Sequence, residues 1–143
     1  MLAVYYSDRR SNRMANENPG SNSRNNESEF VKSDVESYKL PNGFPIDMPL
    51  EENARILQNY VVSTPDGRSQ STRSFETQKS LAENYKLYSD YMKKNNWEIN
   101  VKVDQANLKV LSGSSAGLEL KIDITQSSVS SPRVVTISLI SSK

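Results

Sequence analysis

Apolar positions recur along the second half of this chain with two different periods, and the switch between them locates the elements. "ARILQNYVVS" (54–63) is β-rich, and its spacing puts Ile56, Tyr60 and Val62 on one strand face. "TPDGRSQ" (64–70) has the proline and glycine of a turn, and "STRSFET" (71–77) reads as the return strand of a hairpin. From Ser80 to Asn95 the period changes. Leu81, Tyr85, Tyr88 and Met92 follow at steps of four, three and four, and Ala82, Leu87 and Tyr91 widen the stripe. Thr77 or Ser80 suits the N-cap of this helix, and Lys93, Lys94 and Asn95 suit its C-terminal end.

Alternation then returns. "WEINVKVD" (97–104) predicts Trp97, Ile99, Val101 and Val103 inward, and "NLKVLS" (107–112) adds a shorter strand. "LELKIDIT" (118–125) alternates with Leu118, Leu120, Ile122 and Ile124 on one face. "RVVTISLI" (133–140) is apolar on both faces, which suits a central strand better than a pairing edge. The expected order is β-β-α-β-β-β-β. It defines an α+β domain: an antiparallel sheet of about six strands with one amphipathic helix packed on one face.

Upstream, "LPNGFPIDMPLEENA" (40–54) carries three prolines, which predicts an ordered, extended lead-in laying Phe44, Ile46, Met48 and Leu50 against the domain. Residues 1–39 are expected to be a disordered polar tail or linker, and 40–143 the single domain. "NENPGSNSRNNESE" has nothing to bury against the roughly 1–2 kcal/mol per residue that backbone ordering costs. "EFVKSDVESYKL" (29–40) has a faint helical spacing that suggests either a short docked helix or more linker, and Asn26-Glu27-Ser28 is a lone glycosylation sequon. "MLAVYY" followed by "SDRRSNR" resembles the end of a membrane anchor truncated before Met1; its arginines favour a cytoplasmic domain.

Composition narrows the chemistry. Hydrophobic residues make up 35% of the chain, in keeping with a part that buries no core. The formal net charge of +1 gives no field to steer nucleic acid or anionic lipid. There is no cysteine and no histidine, which removes the thiolate nucleophile, the common neutral-pH base and the usual transition-metal ligands.

One stretch spells a catalytic motif. Gly113-Ser114-Ser115-Ala116-Gly117 is G-x-S-x-G, the pattern of a nucleophile elbow. An elbow needs a helix after the serine, whereas Leu118–Thr125 reads as strand, and no histidine exists to complete a triad. A Ser–Lys dyad would require a desolvated lysine, and Lys109 and Lys121 are expected at outward positions. The stretch is therefore expected to be a hairpin loop. Glu51-Glu52 and the pair Glu83 and Asp90 are possible acid–base carboxylates; a solvated helix face explains the latter as well, and Asp47 and Asp66 read as turn residues. "YKLYSDYMKKNNW" (85–97) mixes aromatics with lysines, but Tyr85, Tyr88 and Trp97 fall at core spacing. No catalytic, cofactor-binding or metal-binding residue is assigned, no cofactor is expected, and no nucleic-acid partner is expected.

The lead-in Leu40-Pro41-Asn42-Gly43-Phe44-Pro45-Ile46-Asp47-Met48-Pro49-Leu50, the tyrosine-bearing helix and Trp97 together resemble small uncharacterised membrane-tethered α+β domain proteins of candidate-phyla bacteria. The chain departs from them at Asn53 and Asn96, where glycine is usual. The resemblance carries no activity. It implies an extracytoplasmic domain in the cell envelope, held to a membrane through an N-terminal anchor, with an unknown protein or envelope partner. The function expected first is a non-catalytic binding or envelope-associated domain. The alternatives are a subunit of a surface appendage or secretion apparatus, and a small-ligand carrier or enzyme using a pocket between helix and sheet.

Overall fold

A computed structural model describes residues 29–141. The expectations for the membrane-anchor end and the glycosylation sequon lie outside the described residues. Seven strands and one helix follow in the order β1 (Val31–Asp34), β2 (Ile56–Ser63), β3 (Ser69–Thr77), α1 (Leu81–Lys94), β4 (Glu98–Asp104), β5 (Leu108–Ser115), β6 (Leu118–Thr125) and β7 (Arg133–Ser141). All neighbours are antiparallel, in the sheet order β1-β2-β3-β7-β6-β5-β4. The fold class is the one the periodicity predicts, with one strand more. That strand is β1, which replaces the docked helix or linker expected over 29–40: Val31–Asp34 pairs with Tyr60–Ser63. β7 is central, between β3 and β6.

The helix forms where its caps and stripe place it. The Ser80 hydroxyl accepts the Glu83 N–H at 3.1 Å and the Glu83 carboxylate accepts the Ser80 N–H at 2.6 Å, closing a capping box that satisfies two orphan donors. Leu81, Tyr88 and Met92 are buried and Tyr85 is half-buried, as the stripe requires; Ala82, expected on its margin, is exposed. α1 lies across β4, β5 and β6. Its fit is closest at Gly113, where an added Cβ would stand 2.7 Å from the Glu98 carbonyl oxygen and 2.8 Å from Met92 Cε.

Two strands depart from simple alternation, each through a bulge. The register of β2 shifts between Ile56 and Gln58. Ile56 pairs with Phe75 on the helix-side face, whereas Tyr60 and Val62, expected beside it, pair with Thr72 and Gln70 on the opposite face. Asn59 and Val61 take the inward positions instead. The same happens in β4, between Ile99 and Val101: Ile99 stays inward, while Val101 and Val103 turn to the open face and Lys102 pairs with Leu111. One extra residue exchanges the two faces of everything beyond it.

The half of the sheet that α1 does not reach is covered by residues 35–54, a strap rather than an extended lead-in. Tight turns link Pro41 to Phe44 (O···N 3.2 Å) and Pro45 to Met48 (3.1 Å). Pro41, Phe44 and Met48 are buried and Leu50 is half-buried, whereas Ile46 sits at a turn tip and is 95% exposed, not packed as expected. The core therefore lies between the inward side chains of β5, β6 and β7 (among them Leu111, Leu120, Ile122, Ile124, Val135 and Ile137) and a cover made of helix and strap.

Backbone strain outside glycine sits at three of the described residues, one of them Ala116 in the β5–β6 turn. Asn53 (φ 58°) and Asn96 (φ 57°) both adopt the left-handed conformation, which glycine takes freely and asparagine better than other side chains. Asn96→Ala should lower stability by about 1 kcal/mol, whereas Asn96→Gly should change it by only a few tenths. Gly113→Ala, by contrast, should cost about 2 kcal/mol or more through overpacking against β4 and α1. Urea denaturation of the three variants checks all of these.

Candidate functional site

The strap is held by polar side chains pointing from the sheet into the space where an apolar core would otherwise continue. Asn59 of β2 and Arg73 of β3 are cross-strand neighbours, 8% and 9% exposed. The Asn59 amide donates to the carbonyls of Glu36 and Lys39, both at 2.9 Å, and more weakly to Val35 at 3.3 Å. The Arg73 guanidinium donates to Lys39 O and Ser37 O, both at 3.0 Å. Ser71, one pair further along β3, donates to Asn42 O at 2.6 Å. A segment too rich in turns to pair as a strand thus has its carbonyls satisfied by side chains. Burial lowers the pKa of Arg73, and no carboxylate accompanies it in its hydrogen-bonding shell.

At the other end of the strap, the Glu51 carboxylate accepts the Thr77 hydroxyl, the Gln78 N–H at 3.1 Å and Lys79 Nζ at 3.4 Å. The Thr77 oxygen in turn accepts from Asn84 Nδ2 at 3.1 Å. The Tyr88 hydroxyl donates to Pro49 O at 2.7 Å, and the Tyr91 hydroxyl to Asp47 Oδ1 at 3.3 Å. Burial, with the nearby Glu51 charge, raises the Tyr88 pKa; burial and Asp47 push Tyr91 up to about 12. For Glu51, burial works upward, but Thr77, Gln78 and Lys79 together hold the carboxyl below its ordinary range.

Between the strap and the sheet end beyond Ser71, a cleft of about 420 Å³ opens. Val61, Leu118 and Leu139 supply apolar lining; Ser63, Ser69, Ser71 and Ser141 supply hydroxyls; the turn Asn42-Gly43 forms the strap side. Ser69 and Ser141 are joined through their hydroxyls at 2.8 Å. Gly43, with φ 85° and its Cβ position 4.0 Å from Leu139 Cδ2, lets the strap turn sharply above the cleft. A smaller, polar hollow of about 280 Å³ lies at the opposite end of the sheet, beside Glu76, Gln126 and Arg133.

The residues weighed for catalysis do not converge. Gly113, Ser114 and Ser115 belong to β5, and the turn is only Ala116-Gly117, with φ 47° and 78°, a two-residue hairpin followed by β6. The expected loop is thus shorter than its five small residues, and three of its positions answer to packing and pairing. Lys109 corrects another expectation. It points to the helix-covered face opposite Ile124, only 12% of its side chain is exposed, it pairs with Asp104, and its ammonium stands 5.8 Å from the Tyr85 ring. Ser115 lies six positions away along the same strand.

Glu83 is held in the capping box and Asp90 in an ion pair with Lys86, so the two carboxylates act separately. Glu52 is exposed, and Asp66 closes the β2–β3 turn with Thr64 and Arg68. Tyr88, Tyr91 and Trp97 are core residues, not an exposed stacking platform. Among the described residues, no group of acidic side chains is placed to hold a metal ion, and no helix is long and apolar enough to cross a membrane. Sequence reasoning missed Asn59, Arg73 and Ser71. Asn59 turns inward only because of the β2 bulge, whereas Arg73 and Ser71 share the β3 face of Phe75 by plain alternation and meet a strap whose path no local pattern reveals.

The fold and cleft define an α+β helix-and-sheet domain with a small open cavity at one sheet end. A family model described as START domain-like matches residues 57–132, just over half of the chain, and the chain belongs to that family. The match runs from β2 through the loop before β7, so the strap and β7, which complete the cleft, lie outside it. Comparison with curated proteins and with solved structures found no match.

Arg73→Ala should destabilise the domain by about 3 kcal/mol, because the Ser37 and Lys39 carbonyls lose their donors and a cavity opens; thermal denaturation measures it. The Glu51 interaction has a pH signature. Its carboxyl titrates lower in the folded chain than its ordinary 4.5, so the stabilisation is fully present above that pH and is lost as pH falls through the folded-state value. Glu51→Gln should flatten this acid limb in a series of unfolding midpoints taken from pH 6 to pH 3.

Proposed function

We propose that this chain is a non-catalytic small-ligand-binding domain that takes a compact amphiphile in the cleft under the Asn42-Gly43 turn. The observation that carries the reading is the composition of that cleft, three aliphatic side chains facing four serine hydroxyls and a turn backbone. Such a lining offers apolar contact and hydrogen bonds without a titratable group. Its volume falls within the roughly 300–1,000 Å³ typical of small-molecule sites. Membership of a START domain-like family supports a ligand-binding helix-sheet domain.

Octanol and octanoate serve as probes, since both share an eight-carbon tail and differ in head-group charge. Either should perturb the amide resonances of Val61, Ser71, Leu118 and Leu139 together, and saturably. Ser63→Trp, at the cleft rim, should weaken binding about tenfold while leaving the unfolding midpoint within a few degrees. Perturbations scattered over the surface, or a Ser63→Trp variant that binds as well as the parent, would refute the site.

A second reading keeps the domain in the cell envelope, tethered to a membrane through a segment preceding the polar tail. The apolar and aromatic run "MLAVYY" followed by basic residues supports the tether, while the arginines by themselves favour the cytoplasmic side. In the native host the protein should sediment with membranes and resist extraction by salt; recovery in the soluble fraction would dismiss the tether.

A further inference from the structure

The sheet has two edges, β1 and β4, and they differ in what they offer a neighbour. β4 is interrupted by its bulge between Ile99 and Val101, a device that spoils continuous pairing. β1 is short and unbulged, with all four residues exposed. The Val35 N–H bonds to Asn59 O at 2.8 Å. By strand alternation the backbone groups of Ser33 and Val31 also face β2, and those of Lys32 and Asp34 point outward.

We infer that β1 is the interface through which two copies of this chain associate, antiparallel and centred on Ser33. In that register Lys32 of each copy lies opposite Asp34 of the other. The outward backbone groups of the two residues then meet as hydrogen-bonded pairs, and two opposite-charge cross-strand pairs form at once. Centring on Lys32 would set lysine against lysine, and centring on Asp34 would set aspartate against aspartate. The charges that repel an arbitrary strand therefore select one partner in one register, a second copy related by a two-fold axis. The same pairing places Val31, 57% exposed in the single chain, opposite Val35 of the other copy. Val31 is also the cross-strand partner of Ser63, so the seam runs beside the mouth of the cleft.

The test uses the full chain, three variants of β1 and a control variant of β4, with sedimentation equilibrium read across concentration. Lys32→Asp and Asp34→Lys should each weaken self-association about tenfold or more, because each sets like charges opposite one another twice. The double variant Lys32→Asp/Asp34→Lys should restore it. Mixing the two single variants should give a heterodimer tighter than either homodimer, and circular dichroism should show all four proteins equally folded. A parent that stays monomeric into the millimolar range overturns the inference. So does self-association that is equal in all four proteins, or that survives these changes and is lost on Val103→Lys, which would assign it to β4.

Discussion

Asn59, Arg73 and Ser71 turn hydrogen-bonding side chains toward the covered face of the sheet, and the remaining architecture follows from what they hold. A seven-stranded sheet needs more cover than one fourteen-residue helix provides. α1 protects β4 to β6, and the surface of β2, β3 and β7 would otherwise face water. A strap of successive turns closes it, but such a segment cannot satisfy its own carbonyls. Amide, guanidinium and hydroxyl donors on the strands solve that problem from below. The arrangement also fixes the strap laterally, since each donor addresses particular carbonyls.

This division of labour accounts for the cleft. Where the inward side chains are large and apolar, helix and strap pack to closure around Phe75, Tyr88 and Ile137. Past Ser71 the inward positions of β2, β3 and β7 become serines, Ser63, Ser69 and Ser141, too small to fill the space beneath the strap turn. Gly43 turns the chain there without adding bulk. The opening is a consequence of small residues at one end of three strands, and its apolar lining includes the core residue Leu139 and the half-buried Leu118. A ligand bound there would be in contact with both the family-matched body and the strap that lies outside the match.

The polar anchors at the two ends of the strap differ in kind. At the Asn59–Arg73 end the acceptors are backbone carbonyls, which carry no titratable proton. At the Glu51 end the acceptor is a carboxylate that titrates, set among Thr77, Gln78 and Lys79 beside the helix N-terminus. Acid therefore loosens the strap from its helix end while leaving the β2–β3 end intact. Tyr88 and Tyr91 reinforce the same end through neutral hydroxyls, whose raised pKa values keep them protonated as donors.

Local pattern alone determined the class of fold, the helix with its cap, the order of the strands from β2 onward and the hairpin conformation of the G-x-S-x-G stretch, because each depends on neighbours within a few residues. The helical stripe from Leu81 to Met92 and the alternation of Leu118 to Ile124 translate directly into buried faces. Only the tertiary structure decided which faces β2 and β4 present beyond their bulges, since a bulge leaves no compositional mark and inverts every residue after it. It also decided that 31–34 is a strand, that Lys109 lies beneath the helix side, and that the prolines of 40–50 build turns. Each of these depends on a partner distant in sequence, Tyr60 for Asp34, Ile124 for Lys109, Arg73 for the carbonyl of Lys39. The cleft belongs to the same category: its lining comes from five separate segments, and no stretch of the chain contains more than a fragment of it.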